Sequence, residues 1–479
     1  MNYNYKINNI KSPLSVQFEL TYNCNNRCIF CYNVNKHPEN TTDRCQFDKM
    51  LSFDEVCRLL DKLYDAEIFE LIFTGGEPTL HPDFLGILEY ARHKGLNASF
   101  ITNGNLMSPE YVKHVCDLGI RGVQVSLHGS NAEIHEGITR IRHSFEKTVK
   151  GIKNLAEAGI QVSINMTVCR NNISDIINTA CLVKSLGACS FSITRFVASG
   201  EGLANNDTIG INSSDLDFIV DQIDRINNEI GIEMHILTPI PLCSVKRPEV
   251  IIGRMSRCDG GISWCGISPS GEVRFCTHGK ESGGNLMDDT LENIWQKGVP
   301  FVRCHSMEHI PDACRECAVF QFCGGGCRAH ALNCTGDHKG LDSCATITNI
   351  PEMNRQLPEI IKVIAANYTH KNNDYSRDIS ILLQKPYVDR NKILFRSEPG
   401  GILSFDGTGC NMFNEDALAI FNLCNKDLTV REIVEKLSKE FNQPVDELKP
   451  IIKEFLAEST DLNIVEWEPF DYREIQLNL

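Results

Sequence analysis

Between residues 15 and 197 two hydrophobic periods alternate along the chain. Apolar runs rich in β-branched and aromatic residues recur at Ser15–Tyr22, Phe69–Thr74, Ala98–Thr102, Gly122–Leu127, Gln161–Val168 and Ser190–Val197, and each reads as a buried strand. Between them, apolar residues fall three and four apart, as on a helix with one buried face. The helix starts are marked as well. Ser52 and Glu55 form a capping box before VCRLLDKLYDAEI, Ser108 precedes Pro109, and FEKTVKGIKNLAEAG ends on Gly159 as a C-cap. Six β-then-α units predict parallel strands joined by right-handed crossovers, hence an α/β fold built as a partial (β/α)6 TIM barrel. In such folds chemistry gathers at the C-terminal ends of the strands.

Past residue 200 the pattern weakens, with a helix expected near Ser214–Ile230 and a short strand near Met234–Leu237. Residues 258–344 are rich in Gly and Cys and have too little apolar pattern to fold without metal staples. Residues 345–385 read as a helical linker. From 386 the short strands ILFRSE, GILSFDG and CNMFN precede three helices, the second capped by Thr429 and Glu432. That is a small α+β module.

Composition narrows the function. A chain of 479 residues exceeds one ordinary core, so two or three domains are expected. The net charge of −15 argues against a nucleic-acid partner. No apolar run is long enough to span a bilayer, and the start, MNYNYKINNIKSPLSV, lacks an apolar signal region. No membrane partner and a cytoplasmic location are therefore expected. In a reducing compartment the 22 cysteines point to metal or redox chemistry, and 258–344 alone hold ten of them. Cys57, Cys116, Cys181 and Cys189 lie in apolar patterns and read as small buried hydrophobes.

The first apolar run leads into TYNCNNRCIFCYN, which spaces Cys24, Cys28 and Cys31 as CxxxCxxC. Three thiolates on one loop can hold three irons of a [4Fe–4S] cubane, leaving the fourth iron to chelate S-adenosylmethionine (SAM). Phe30 is positioned to cover an adenine face. A zinc ion is the alternative, but it would want a fourth Cys or His close by. The second run ends in LIFTGGEP. There Gly75 and Gly76 allow close approach to a ligand, and Glu77 can accept from the SAM ammonium. The third ends in ITNGN, offering Thr102 and Asn103 to a ribose, and the fourth in VSLHGS, aiming Ser126 at the carboxylate end.

Taken together on successive strand ends, these motifs resemble the radical SAM superfamily over about residues 15–200. The resemblance implies an enzyme that cleaves SAM reductively to a 5′-deoxyadenosyl radical. A low-potential electron donor such as ferredoxin or flavodoxin would feed it. It also implies site roles for Arg140 (or Arg142) on the SAM carboxylate and for Asn165 and Arg195 on the site wall. His128 stands where the family often has an Asp.

Further on, the spacing is Cys258–x6–Cys265–x10–Cys276, then Cys314–x2–Cys317–x5–Cys323–x3–Cys327–x16–Cys344, with a hairpin turn at Gly271. This resembles a SPASM domain carrying auxiliary [4Fe–4S] clusters. By that resemblance Cys258, Cys276 and Cys327 would hold a first auxiliary cluster, with Cys265 as a possible fourth ligand. Cys314, Cys317, Cys323 and Cys344 would hold a second. Spacing alone also suits structural zinc. Cys243, Cys304 and Cys334 read as spare. The C-terminal module resembles a PqqD-like recognition element for ribosomally made, post-translationally modified peptides. Such a winged-helix fold would take a precursor's leader as an added strand at the edge near Gly409–Phe413, against the helix beginning near Val445.

The expected organisation is a radical SAM core over 1–200, a connector over 201–257, SPASM over 258–344, a linker over 345–385 and the recognition domain over 386–470. The implied activity is a peptide maturase that installs a thioether, a carbon–carbon crosslink or a related oxidation in a precursor peptide. Three rivals remain: a sulfatase-maturase-like formylglycine former, a SPASM enzyme acting on a small molecule such as a tetrapyrrole, and a non-catalytic peptide-binding scaffold. The first usually has Asp directly after the cysteine that here is Cys276, where this chain has Thr277 and His278.

Overall fold

The computed structural model describes residues 10–33, 50–252, 254–255, 257–358, 386–389, 393–398, 401–405, 410–462 and 464–467. They fall into two compact units, the larger being Lys11–Ala365 and the smaller holding the described residues from Pro386 onward.

The larger unit is built on β1 (Ser15–Thr21), β2 (Glu70–Gly75), β3 (Ala98–Thr102), β4 (Gly122–Ser126), β5 (Gln161–Val168) and β6 (Ser190–Arg195), each paired in parallel with the next. Helices α1 (Phe53–Asp65), α2 (Phe84–Lys94), α3 (Pro109–Asp117), α4 (Ala132–Thr139), α5 (Ser144–Glu157) and α6 (Ile176–Ser185) make the crossovers. The expected capping box of Ser52 and Glu55 starts α1, and Ser108 caps α3. Side chains alternate across the sheet. Val16, Phe18, Phe73, Phe100 and Val125 point outward under the helices and are buried, where each contributes about 1.5–3 kcal/mol. Phe84 of α2 meets Phe73 and Phe100 edge-on there, at 6.2 and 5.2 Å between ring centres. The opposite face, with Gln17, Gln124, Asn165 and Thr194, lines the barrel interior.

Among the described residues the sheet is wider than the six strands expected. β7 (Glu233–Ile236) adds in parallel to β6, and β8 (Trp264–Ile267), β9 (Glu272–Arg274) and β10 (Ser282–Asn285) extend the opposite edge in the order β10-β9-β8-β1. β8 runs parallel to β1, with Val16 opposite Cys265 and Gln17 opposite Gly266. The cysteine-rich segment is thus annexed to the barrel sheet. This accounts for its weak apolar pattern, because the first barrel strand supplies the partner that it lacks.

The smaller unit is a meander of β12 (Leu394–Glu398), β13 (Gly401–Phe405) and β14 (Cys410–Phe413) beside helices Glu415–Leu423, Val430–Phe441 and Val445–Asp461. A short pair, β11 (Pro386–Tyr387) and β15 (Glu466–Trp467), closes it. Ile420, Phe421, Ile433, Leu437, Ile452 and Leu456 form its core. Gly409 lies outside the described residues. No helix of the described residues is long and apolar enough to cross a membrane.

Candidate functional site

A cavity of about 330 Å³ opens at the C-terminal ends of the barrel strands. Cys24, Cys28 and Cys31 lie on its wall with Phe30, Gly75, Gly76, Glu77, Thr102, Asn103, Ser126 and Asn165. From the other side Cys258, Cys276 and Cys327 line the same space, next to Arg257 and His278. Two cysteine groups more than 200 residues apart in the chain therefore share one chamber.

The first loop is already shaped for thiolates. The amide of Asn26 donates to Cys24 Sγ and that of Asn33 to Cys31 Sγ, both at 3.4 Å. Such donors favour the anionic sulfur that iron binds. The loop is held in place by its neighbours. Arg27 and Ile29 donate to the carbonyls of Thr139 and Ile138 at the end of α4, and Gly202 donates to Cys31 O.

Gly75 and Gly76 line the cavity and also make room for that loop. A Cβ on Gly75, where φ is +128°, would lie 2.4 Å from Thr21 O; one on Gly76 would lie 2.2 Å from Asn23 O. On the side where a Cβ would stand, the loop's own backbone fills the space.

Glu77 has a structural role beside the one expected of it. Its carboxylate accepts from Thr79 Oγ1 at 2.6 Å, Thr79 N at 3.4 Å, Thr102 Oγ1 at 2.7 Å and Asn103 N at 2.7 Å. Burial outweighs these donors and raises its pKa. Oε1 takes three of these bonds and Oε2 one, so Glu77 braces the ends of β2 and β3 while it lines the cavity.

Phe30 stands edge-on to His128 at 4.8 Å, and His128 stacks on His135 at 5.7 Å. The amide of Thr167 donates to His128 Nδ1, so this ring is the neutral form with its proton on Nε2. Burial holds its pKa well below the usual histidine value.

Two arginines are not where the resemblance would put them. Arg140 is an exposed C-cap of α4 in the left-handed region, and Arg142 is exposed too. Arg195 is buried in an ion pair with Asp342 at 2.5 Å, with Nη1 3.5 Å from Cys344 Sγ. Burial works against its charge, but Asp342 and then Cys344 outweigh it and raise the pKa. Neither Arg140 nor Arg195 reaches the cavity. The arginine that does, among the described lining residues, is Arg257, which sequence reasoning missed because its position follows from the annexed segment.

The later cysteines sort into groups by position. Amides of Arg328 and Gly260 donate to Cys258, His278 N to Cys276 at 3.4 Å, and His330 N to Cys327 at 3.5 Å. Cys314, Cys317 and Cys323 form another group. Burial pushes the Cys314 thiol up to about 12, followed by the neighbouring charges of Cys323, Cys243 and Cys317. Cys243 thus stands in this group, receiving the Thr346 amide, while the Leu242 amide donates to Cys323. The Cys344 thiol, expected in this group, donates to Ile211 O at 3.2 Å and faces Arg195. Cys265 joins neither group. Cys57 is buried as expected, but Cys181 and Cys189 are exposed. Among the described residues no three His, Cys, Asp or Glu side chains converge closely enough to hold a single metal ion.

Comparison with known proteins agrees with this geometry. Residues 18–183 match the Radical SAM superfamily. The chain carries a radical SAM domain. Residues 258–318 match an iron–sulfur cluster-binding domain of the SPASM type, and 401–465 match coenzyme PQQ synthesis protein D. The protein is an enzyme whose cofactors are iron–sulfur clusters and SAM. It is 27% identical over 340 residues to an AdoMet-dependent heme synthase of Methanosarcina barkeri, covering 68% of this chain and 94% of that protein. It is 28% identical over 329 residues to the mycofactocin maturase MftC of Mycolicibacterium smegmatis, covering 67% and 79%. Its fold is similar to that of Streptococcus suis SuiB bound to precursor peptide SuiA, with TM-score 0.57, 16% identity, and 71% and 78% of the two chains covered.

Proposed function

We propose that the chain is a peptide maturase that oxidatively crosslinks a ribosomally made precursor, forming a thioether or carbon–carbon bond. The observation that carries this reading is the shared chamber, where Cys24, Cys28 and Cys31 face Cys258, Cys276 and Cys327 across one cavity. Cys24, Cys28 and Cys31 would hold the SAM-binding cluster, and the later groups the auxiliary clusters. When bound, these groups supply one-electron cleavage of SAM, hydrogen abstraction from an unactivated carbon, and an acceptor for the electron left behind. The chain's own residues position and shield. Phe30 covers the adenine, Thr102 and Asn103 flank the ribose, and Ser126 and Asn165 address the amino-acid end. Arg257, whose Nε pairs with Asp259 at 2.8 Å, is the cavity cation suited to the SAM carboxylate in place of Arg140 or Arg142.

The two relatives differ in name yet are nearly equal in identity, so identity does not choose between a tetrapyrrole and a peptide. The PqqD module favours the peptide. β14 is an outer strand of its meander, and Phe413 on it packs against Phe455 at 5.9 Å. Ile451, one helical turn before Phe455 on the same face, is 58% exposed. An added leader strand along β14 would cover that apolar surface. The electron donor would be a low-potential ferredoxin or flavodoxin, and the location the cytoplasm, where free thiols persist.

Two measurements test the reading. The reconstituted protein, reduced with dithionite, should form 5′-deoxyadenosine from SAM. Ile451→Glu should weaken binding of the leader encoded beside the gene at least tenfold and leave that turnover unchanged. Leader binding unaffected by Ile451→Glu and by deletion of 386–479 would remove the module from substrate capture.

A further inference from the structure

We propose that Cys304, not Cys265, supplies the fourth thiolate of the first auxiliary centre alongside Cys258, Cys276 and Cys327. The inference rests on reading residues 258–344 as cluster-bearing, and it changes what that centre can do.

The pleat of β8 excludes Cys265. In the parallel ladder Cys265 lies opposite Val16 and Gly266 opposite Gln17. Residues paired across a ladder point to the same face, and successive residues to opposite faces. Gln17 lines the cavity, so Gly266 faces it as well, and a Cβ on Gly266 would meet Thr277 Cγ2 at 3.0 Å and Cys276 C at 3.4 Å. Cys276 therefore sits on the cavity side. Cys265 points the other way with Val16, and both are 0% exposed beneath the helix layer. Bringing its sulfur to Cys276 would need a one-residue slip of β8, which would turn Trp264 and Gly266 to the wrong face.

Cys304 approaches from the helix Val299–His305. Cys258 is followed by Asp259 and then by Gly260 and Gly261. A Cβ on Gly261 would lie 2.8 Å from Cys304 Sγ, and one on Gly260 would lie 3.6 Å from Cys276 Cβ. The two glycines thus let the backbone just beyond Cys258 be approached by Cys276 at Gly260 and by Cys304, together with Phe275, at Gly261. Gly261 has φ +75°, which fixes this turn further. Burial raises the Cys304 thiol to about 12, and the Cys258 charge comes next in weight, with Cys276 also contributing. Cys265, by contrast, is raised by burial alone. Four thiolates leave no open iron at this centre, so it would move electrons and would not bind a substrate thiolate.

The test uses the full-length reconstituted protein and counts iron and sulfide, with electron paramagnetic resonance of the reduced sample. Wild type should hold about twelve irons per chain, and Cys265→Ala should match it in count and spectrum. Cys304→Ala should either fall to about eight irons or keep a cluster whose spectrum shifts on adding cyanide, as an opened corner would. Cys304→Ser, close in size and folded by circular dichroism, should keep iron but alter the spectrum. The proposal is overturned if Cys265→Ala loses iron while Cys304→Ala does not. It is equally overturned if wild type already responds to cyanide at an auxiliary centre and Cys304→Ala changes nothing. A wild-type count near four would instead refute the cluster reading of the segment, a separate failure.

Discussion

Replacing Glu77 with Gln exchanges one oxygen for an amide and leaves the shape alone, so it separates a brace from a ligand contact. In the wild type Oε1 accepts from Thr79 N, Thr79 Oγ1 and Thr102 Oγ1, and Oε2 from Asn103 N. The least costly Gln rotamer keeps its oxygen on Asn103 N, since two facing N–H groups could not be relieved. Its amide then faces two hydroxyls that must turn to accept, and Thr102 Oγ1 already accepts from Gly104 N at 3.0 Å. The Thr79 amide loses its partner. Charged hydrogen bonds contribute about 1.5–3 kcal/mol and neutral ones about 0.5–1.5, so weakening three and losing one weak bond costs about 3–4 kcal/mol. Relief of the buried charge, which raises the Glu77 pKa, offsets part of this, leaving about 2 kcal/mol. Denaturant unfolding of Glu77→Gln should therefore show stability lower by about 2 kcal/mol. SAM affinity should fall less than tenfold, through Asn103, whose Nδ2 reaches Asn25 Oδ1 at 2.5 Å and Cys24 Sγ at 3.9 Å. Unchanged unfolding with a hundredfold loss of SAM affinity would refute the brace and return the carboxylate to the SAM ammonium.

Other outcomes follow from the same geometry. Gly76→Ala forces a Cβ against backbone oxygens 2.2 and 2.5 Å away, so it should cost about 1–3 kcal/mol and reduce iron at the first loop. Gly137→Ala, in an exposed turn of α4 with nothing within 4 Å, should instead stabilise by about 0.5–1 kcal/mol; equal effects in calorimetry and iron assay would contradict the packing argument. Cys243→Ala should lose about four irons while Cys344→Ala keeps them, because the Cys344 thiol is engaged by Ile211 O; the reverse result in an iron count would restore the spacing-based assignment. Burial lowers the His135 pKa to about 4, so the fold prefers the neutral ring. That stability is fully present above the unfolded value of about 6.5 and is lost as pH falls from there toward 4, about 3 kcal/mol in all. His135→Asn should flatten the pH dependence of unfolding in that window, and an unchanged slope would show that the ring charges freely in the fold.

The barrel was legible because buried parallel strands read as unbroken apolar runs, and Ser52–Glu55 and Thr429–Glu432 form the capping boxes that the sequence spells out. Cys24, Cys28 and Cys31 were legible because one short loop carries them. Less could be read where a side chain's partner lies far along the chain. Arg195 ends a strand and could face either way, and its partner Asp342 comes 147 residues later. Cys265 matches the expected spacing, yet which face it takes depends on the register of a four-residue strand against β1, and a slip of one residue reverses the answer. Spacing can propose a ligand set, but the pleat decides which thiols meet.

The same ladder explains how two distant cysteine groups come to share a chamber. β8 docks beside β1, so the hairpin that ends near Cys276 is carried alongside the strand that leads to Cys24. Glu19 of β1 and Arg274 of β9 form an ion pair across this junction, with the Glu19 side chain 0% and that of Arg274 12% exposed. Burial raises the Glu19 pKa, while Arg274 and the Tyr32 hydroxyl oppose the shift. Tyr32 follows Cys31 directly, and its ring lies 4.8 Å from that of His278, two residues after Cys276. One buried carboxylate therefore ties the first cysteine loop to the hairpin that presents the auxiliary thiols. A buried pair of this kind adds little net stability, since desolvation cancels most of the attraction, but breaking it strands a charge at a cost of several kcal/mol. Its value here is positional: it fixes the first cysteine loop against the hairpin that carries Cys276.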